Sequence, residues 1–113
     1  GNKEINNIMN SFRNEPPKTI GNSQIIKIDD FESSTSIDCK TNSKAKILLP
    51  KSNVLIFTTL DGTKVALRPS GTEPKIKFYI SVNEKVNEEE SYSSTEYLLK
   101  KKIKQIVLEL KID

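Results

Sequence analysis

Residues 68–77 hold the side chains in this sequence that are best suited to binding an anion. They read Arg-Pro-Ser-Gly-Thr-Glu-Pro-Lys-Ile-Lys. Arg68 offers a planar fork of N–H donors, and the hydroxyls of Ser70 and Thr72 can donate as well. Gly71 lets the backbone wrap closely enough to add an N–H group. This inventory suits an oxyanion with several oxygens, above all a phosphate.

Two predicted strands flank this segment and would position its charges. Residues 63–68 and 75–82 both alternate between apolar and polar side chains, as half-buried strands do. If both apolar sets face the core, Arg68 and Lys77 lie together on the solvated face, at one end of the sheet. Two cations placed there repel each other unless an anion lies between them.

Further strands are predicted upstream, at residues 24–29 and 54–60. Asp61 and Gly62 are the strongest hairpin signal in the chain, and they join residues 54–60 to residues 63–68. Residues 31–46 lose all periodicity and predict a surface loop. The carboxylates in and beside this loop lack a fixed ligand spacing, so they are interpreted as solvated charges rather than a cation site; they are Asp29, Asp30, Glu32 and Asp38.

Two amphipathic helices are predicted at the ends of the chain. Residues 2–14 place apolar side chains on one face, and Pro16 with Pro17 ends the helix. Ser93 and Glu96 form a capping-box pattern before a second helix with a lysine-rich side. The first helix could bind a partner and the second a membrane surface or nucleic acid, but packing against the core is favoured for both. Together these elements predict an α+β fold: an antiparallel sheet of about four strands with two helices on one face.

Length and charge limit the classes of protein to consider. The 113 residues are expected to form one domain over residues 1–113, and we take the chain as a fragment of something longer. A net charge of +3 permits an anionic partner without requiring nucleic acid. The single cysteine, Cys39, cannot form an internal disulfide and is interpreted as an inert thiol, which fits a reducing, cytoplasmic location. No apolar run is long enough to span a membrane.

The order of residues in the 68–77 segment closely resembles the carboxy-terminal domain of the α-D-phosphohexomutases. The resemblance continues through Phe78 and Tyr79 and extends upstream to residues 49–55 and 61–65, which look most like the phosphoglucomutase/phosphomannomutase branch. It covers about a third of the chain. The two predicted helices agree with it in type and place only.

The resemblance implies a function for a longer protein and a smaller role for this chain. Members interconvert hexose 1-phosphate and 6-phosphate by intramolecular phosphotransfer, using a phosphoserine and a Mg²⁺ ion held by three aspartates, all in other domains. The fourth domain, which has a TBP-like fold, binds the phosphate that is not being transferred. By position, the phosphate-binding residues here are Arg68, Ser70, Gly71 and Thr72. Lys77 stands where the family often has arginine, and lysine keeps the charge but loses the bidentate fork.

The same resemblance implies that this chain contains no catalytic residue and no metal site. The partners expected are the phosphosugar substrate and the other domains of the parent enzyme, with neither nucleic acid nor a membrane. Alone, the chain is expected to have no mutase activity.

Two other classes of protein remain open from the sequence. One is a free-standing α+β module that binds anions or nucleic acid, although Tyr79 is the one aromatic on the proposed open face that bases could stack on. The other is a structural domain whose 68–77 segment is simply solvated. Binding to nucleic acid with a steep salt dependence would favour the first class.

Overall fold

One helix and a seven-stranded sheet make up the fold in the computed structural model, which describes residues 2–82. The elements are α1 (Asn2–Asn14), β1 (Thr19–Ile20), β2 (Ser23–Asp30), β3 (Thr35–Asp38), β4 (Lys44–Lys46), β5 (Leu55–Thr59), β6 (Lys64–Pro69) and β7 (Ile76–Ser81). The strand order is β4-β3-β2-β5-β6-β7, with β1 also paired to β2. Every strand pair is antiparallel. The predicted α+β class and antiparallel sheet are therefore confirmed.

Helix α1 covers one face of this sheet. Its predicted span is confirmed, and the two prolines come after its end with one residue between. Met9 is fully buried, and the Phe12 ring lies 6.2 Å from the ring of Phe57 on β5, measured between centroids. Ile8, which the periodicity assigns to the same apolar face, is 44% exposed. The helix therefore buries a narrower stripe than its sequence predicts.

The core lies between α1 and the inner side chains of the sheet. Its buried apolar members are Met9, Ile20, Ile25, Leu55, Phe57, Val65 and Leu67. Along β6 and β7 the burial alternates as predicted, with the apolar side chains turned inward and the charged ones turned outward. This alternation fixes which side chains the far face of the sheet presents to solvent.

The predicted hairpin at Asp61 and Gly62 is present between β5 and β6. Gly62 has a φ of 90°, a left-handed conformation that costs glycine little. The Asp61 carboxylate accepts hydrogen bonds from the Thr59 hydroxyl at 2.6 Å and from the Thr63 backbone N–H at 3.1 Å. The Asp61 side chain therefore stabilises the turn by bonding to the residues on both sides of it.

The sheet has seven strands, so the prediction of about four is wrong. Residues 31–46, predicted as a surface loop, contain the paired strands β3 and β4. Their side chains are half-exposed or fully exposed, so they show no apolar alternation, and backbone hydrogen bonds hold them. The turn between them relies on Asn42 at a φ of 60° and on Asp38, which accepts from the Lys40 N–H at 2.9 Å.

Cys39, directly after β3, is half-buried beside the core. Burial, with a smaller contribution from the Asp38 carboxylate, raises the pKa of its thiol above the ordinary value. A protonated thiol is a poor nucleophile, which agrees with the interpretation of Cys39 as inert.

The predicted second helix, which would begin at Ser93, lies outside the described residues, so its packing beside α1 stays a prediction. The helix that the structure does describe is too short and too polar to cross a membrane.

Candidate functional site

Arg68 and Lys77 are direct neighbours across the last two strands. They are cross-strand partners in the β6–β7 register, and both side chains are exposed on the face opposite α1. This placement confirms the expectation that the two cations share one face at one end of the sheet. Among residues 2–82, no carboxylate forms an ion pair with either cation. Like charges directly opposite each other destabilise a sheet, so the pair favours a bound anion.

The turn that joins β6 to β7 is closed by its own backbone. Ser70 N–H donates to the Lys75 carbonyl at 2.8 Å, and Lys75 N–H donates to the Glu73 carbonyl at 2.8 Å. Gly71 has a φ of 86°, and a Cβ placed there would meet nothing within 4 Å. The requirement for glycine is therefore conformational, not steric.

Two hydroxyls and one ion pair complete this turn. The Ser70 and Thr72 hydroxyl oxygens lie 3.4 Å apart, so they could contact the same ligand. The Lys75 ammonium lies 3.2 Å from the Glu73 carboxylate, and both side chains are largely exposed. Because Glu73 compensates Lys75, the uncompensated positive charge of the turn comes from Arg68 and Lys77.

Tyr79 holds the guanidinium of Arg68 over the exposed sheet face. Arg68 Nη2 donates to the Tyr79 hydroxyl at 2.9 Å, and Arg68 Cζ lies 5.4 Å from the ring centroid. The hydrogen bond from Arg68, together with the positive charges of Arg68 and Lys77, lowers the pKa of the Tyr79 phenol below its ordinary value. The remaining guanidinium N–H groups have no protein partner in the part of the chain that the structure describes.

A cleft of about 690 Å³ lies beside this turn at the end of the sheet, and we call it the sheet-end cleft. Its walls come from the start of α1, from residues 52–54 before β5, and from the turn after β6. Cavities of about 300–1,000 Å³ are typical of small-molecule sites. The volume is therefore large enough for a phosphorylated sugar.

The structure brings three of the five predicted phosphate-binding residues to the sheet-end cleft. Arg68, Gly71 and Thr72 line it. Ser70 lies beside Thr72, and Lys77 lies beside Arg68 on the next strand, but neither lines the cleft. Lys77 is thus placed to add charge to the site from its edge.

Sequence reasoning missed Asn53, which also lines the cleft. Its side-chain carbonyl accepts a hydrogen bond from Arg13 Nη2 at 2.6 Å. Arg13 in turn donates through Nε to both carboxylate oxygens of Asp30 at 3.3 Å. The available signal was the place of Asn53 within the upstream part of the resemblance, but its contact with Arg13 spans 40 positions.

The described carboxylates do not form a metal site. Residues 2–82 contain no group of three or more Asp, Glu, Cys or His side chains that could hold an ion. Asp29 pairs with Lys27 and Asp30 with Arg13. The residues present therefore do not fit Mg²⁺, and no step at this site is assigned to a metal.

Residues 2–82 thus form an antiparallel α+β domain in which the end of β6 and the turn after it carry an arginine, two hydroxyls and a glycine beside a cleft. Among curated proteins, the chain is 43% identical over 83 residues to phosphoglucomutase of Staphylococcus epidermidis. It is 44% identical over 82 residues to phosphoglucomutases of Staphylococcus saprophyticus and Staphylococcus aureus. These matches cover 73–74% of the chain. The chain is thus homologous to the phosphoglucomutases, which confirms the resemblance to the phosphohexomutase superfamily.

The chain spans only about 15% of the length of the curated relatives it matches. No family model and no solved structure matches it.

Proposed function

We propose that this chain is the carboxy-terminal, substrate phosphate-binding domain of a phosphohexomutase that interconverts hexose 1-phosphate and 6-phosphate. The observation that carries the proposal is the meeting of Arg68, Gly71 and Thr72 on one cleft in a chain 43% identical to a phosphoglucomutase. The proposed partners are a phosphosugar and the other domains of the parent enzyme, in the cytoplasm.

The cleft side of the turn suits the phosphate that does not react. A dianionic phosphate accepts charge-assisted hydrogen bonds from Arg68, from the Thr72 hydroxyl and from the backbone beside Gly71. Lys77 adds positive charge from the neighbouring strand. Catalysis of phosphoryl transfer depends mainly on positioning and on stabilising charge, so a domain that fixes the distal phosphate contributes without touching the reacting bond.

Other domains must supply the reacting groups in this proposal. Mg²⁺ would neutralise charge on the transferring phosphoryl group when bound by those domains. The residues described here orient the substrate and hold its second phosphate, and they neither donate nor accept the phosphoryl group.

Replacing Arg68 with alanine in the complete enzyme tests this proposal. We expect kcat/KM for the hexose phosphate to fall by at least tenfold, because a charged hydrogen bond contributes about 1.5–3 kcal/mol. The measurement is steady-state kinetics with glucose 1-phosphate and mannose 1-phosphate.

The matched control for this experiment is Lys64→Ala. Lys64 is an exposed cation on the same strand and the same face as Arg68, but at the opposite end of β6 and away from the cleft. Its kinetics should match the wild type. Wild-type efficiency in the Arg68 variant would refute the proposed role.

A further inference from the structure

We propose that Asn53 is a further substrate-binding residue, whose side-chain NH₂ group donates a hydrogen bond to an oxygen of the phosphosugar in the sheet-end cleft. This inference rests on the proposed function and extends it from the turn after β6 to the segment before β5. It gives a role to a part of the sequence that the phosphate-binding turn leaves unexplained.

The sheet register brings Asn53 to the same end of the sheet as the turn. Leu55 and Leu67 are cross-strand partners on β5 and β6. Asn53 precedes Leu55 by two residues and Pro69 follows Leu67 by two, so both lie beyond this pair in the same direction. Asn53 and Pro69 line the same cleft, together with Arg68 and Thr72.

The contact with Arg13 fixes which way the Asn53 amide points. Arginine only donates hydrogen bonds, so the Asn53 atom that lies 2.6 Å from Arg13 Nη2 must be the carbonyl oxygen. The NH₂ group of Asn53 therefore takes the other position, and both of its N–H groups can donate hydrogen bonds. No residue among 2–82 accepts from it. A half-buried donor without a protein partner is available to a ligand.

Arg13 is itself held rigidly, which makes this orientation a property of the fold. Its side chain is 12% exposed and its Nε lies 3.3 Å from both oxygens of Asp30, whose side chain is 18% exposed. The exposed carboxylate of Glu32 lies 3.7 Å from Arg13 Nη2. Asp30 belongs to β2 and Arg13 to α1, so two elements hold the amide before any ligand arrives. Such preorganisation reduces the entropic cost of binding.

Hydrogen-bond donors therefore line the cleft from two different segments of the chain. Arg68 and Thr72 line it from the end of β6 and the turn after it, and Asn53 lines it from the segment before β5. Both phosphate oxygens and sugar hydroxyl oxygens accept hydrogen bonds, so a phosphosugar provides partners for both segments at once. A neutral amide also avoids adding a negative charge beside a dianionic ligand.

Asn53→Asp in the complete enzyme tests the inference. An aspartate of the same shape keeps the oxygen that accepts from Arg13, so we expect the fold and its thermal unfolding to be preserved. It replaces the donor with a negatively charged acceptor, so KM for the hexose phosphate should rise about tenfold or more while kcat changes less. Asn53→Ala should raise KM in the same direction by a smaller factor.

Inorganic phosphate, used as a competitive inhibitor, identifies the oxygen that Asn53 contacts. A rise in the inhibition constant of phosphate alongside KM would place the amide on the phosphate. A rise in KM alone would place it on a sugar hydroxyl. Either result supports the inference.

The matched control is Asn42→Asp, which makes the same change of charge in the β3–β4 turn, away from the cleft. Its KM and inhibition constant should equal those of the wild type. If KM and the inhibition constant of Asn53→Asp both stay within about twofold of an active wild type, the Asn53 assignment is wrong and the proposed function stands. A wild type without mutase activity would overturn the proposed function and this inference with it.

Discussion

At the scale of single residues, Arg68 contacts Tyr79 and still has N–H groups that can bind a ligand. Tyr79 accepts one of its hydrogen bonds and lies beneath its guanidinium, while the other donors remain available to a ligand. A long cationic side chain on an exposed strand would otherwise sample many rotamers, and ordering it would cost free energy on binding. Tyr79 thus lowers the cost of presenting Arg68 to an anion.

Because Arg68 stabilises the phenolate, the phenol of Tyr79 should titrate below its ordinary pKa of 10.0. The cause that contributes most is the hydrogen bond from Arg68, so Arg68→Ala should raise the Tyr79 pKa. Ultraviolet absorbance of the phenolate measures this in a Tyr92→Phe, Tyr97→Phe background, where Tyr79 is the remaining tyrosine. An unchanged pKa in the Arg68 variant would contradict the contact.

The sign of the pH effect on stability follows from this shift. A folded-state pKa below the unfolded value means that the folded protein binds the proton less tightly. The contribution of Tyr79 is therefore fully present above the unfolded pKa and is lost as the pH falls through the folded pKa. Bound phosphate competes for Arg68 and adds negative charge nearby, so it should raise the Tyr79 pKa in the same absorbance experiment.

The residue types in the turn, together with the family resemblance, led to the prediction of an anion site there, which stays a prediction, whereas Asn53 was not predicted. Arg68, Gly71 and Thr72 carry their chemistry in a short local motif, and the strand alternation places them. Asn53 is one of many asparagines in polar segments of the sequence. Its orientation is fixed by Arg13, which lies on a helix 40 positions away in the sequence. Contacts of that range depend on the tertiary fold and leave no local pattern.

At the scale of elements, helix α1 is anchored by Met9 more than by the rest of its apolar face. Met9 is fully buried in the core cluster with Phe57 and Leu67, whereas Ile8 is largely outside it. The same helix also carries Arg13, which orients Asn53. The packing of α1 therefore supports one wall of the cleft.

Replacing Met9 with alanine should lower the free energy of unfolding by about 2–5 kcal/mol, because it leaves a cavity in the core. Ile8→Ala on the same helix is the control and should cost much less, since Ile8 is 44% exposed. Urea denaturation of the 113-residue chain measures both. Equal losses for the two variants would contradict the assignment of Met9 as the anchor.

Elements that bury apolar side chains were predictable from the sequence, and strands that expose most of their side chains were not. Helix α1 and strands β6 and β7 show apolar periodicity in the sequence, and β2 and β5 are short β-branched or apolar runs, so all five could be predicted. Strands β3 and β4 expose most of their side chains, and β1 has two residues. Their polar sequences are therefore typical of a loop, although β3 pairs with β2 and β4 pairs with β3 in the sheet.

At the scale of the whole molecule, the proposed function makes the chain one wall of an active site. Its cleft is lined by donors that suit a phosphate, and its described residues hold no group of carboxylates for a metal. The curated phosphoglucomutases are several times longer than the chain. In the proposed function, the remaining walls come from other domains of the parent enzyme.

The 113-residue chain alone should therefore have no mutase activity. A coupled assay that detects glucose 6-phosphate formed from glucose 1-phosphate provides the measurement, with the complete enzyme as the positive control. Turnover that stays with the isolated chain through repeated purification would contradict this prediction, because the chain would then hold its own phosphoryl donor.

The opposed cations Arg68 and Lys77 lower the stability of the sheet edge formed by β6 and β7. Charge repulsion across β6 and β7 weakens the outer part of the sheet until an anion relieves it. Substitutions that remove this repulsion should stabilise the fold and, in the proposed function, weaken phosphate binding. In the proposed function, phosphate binding at this edge is thus maintained at a cost in stability, and selection for stability alone would remove Arg68 or Lys77.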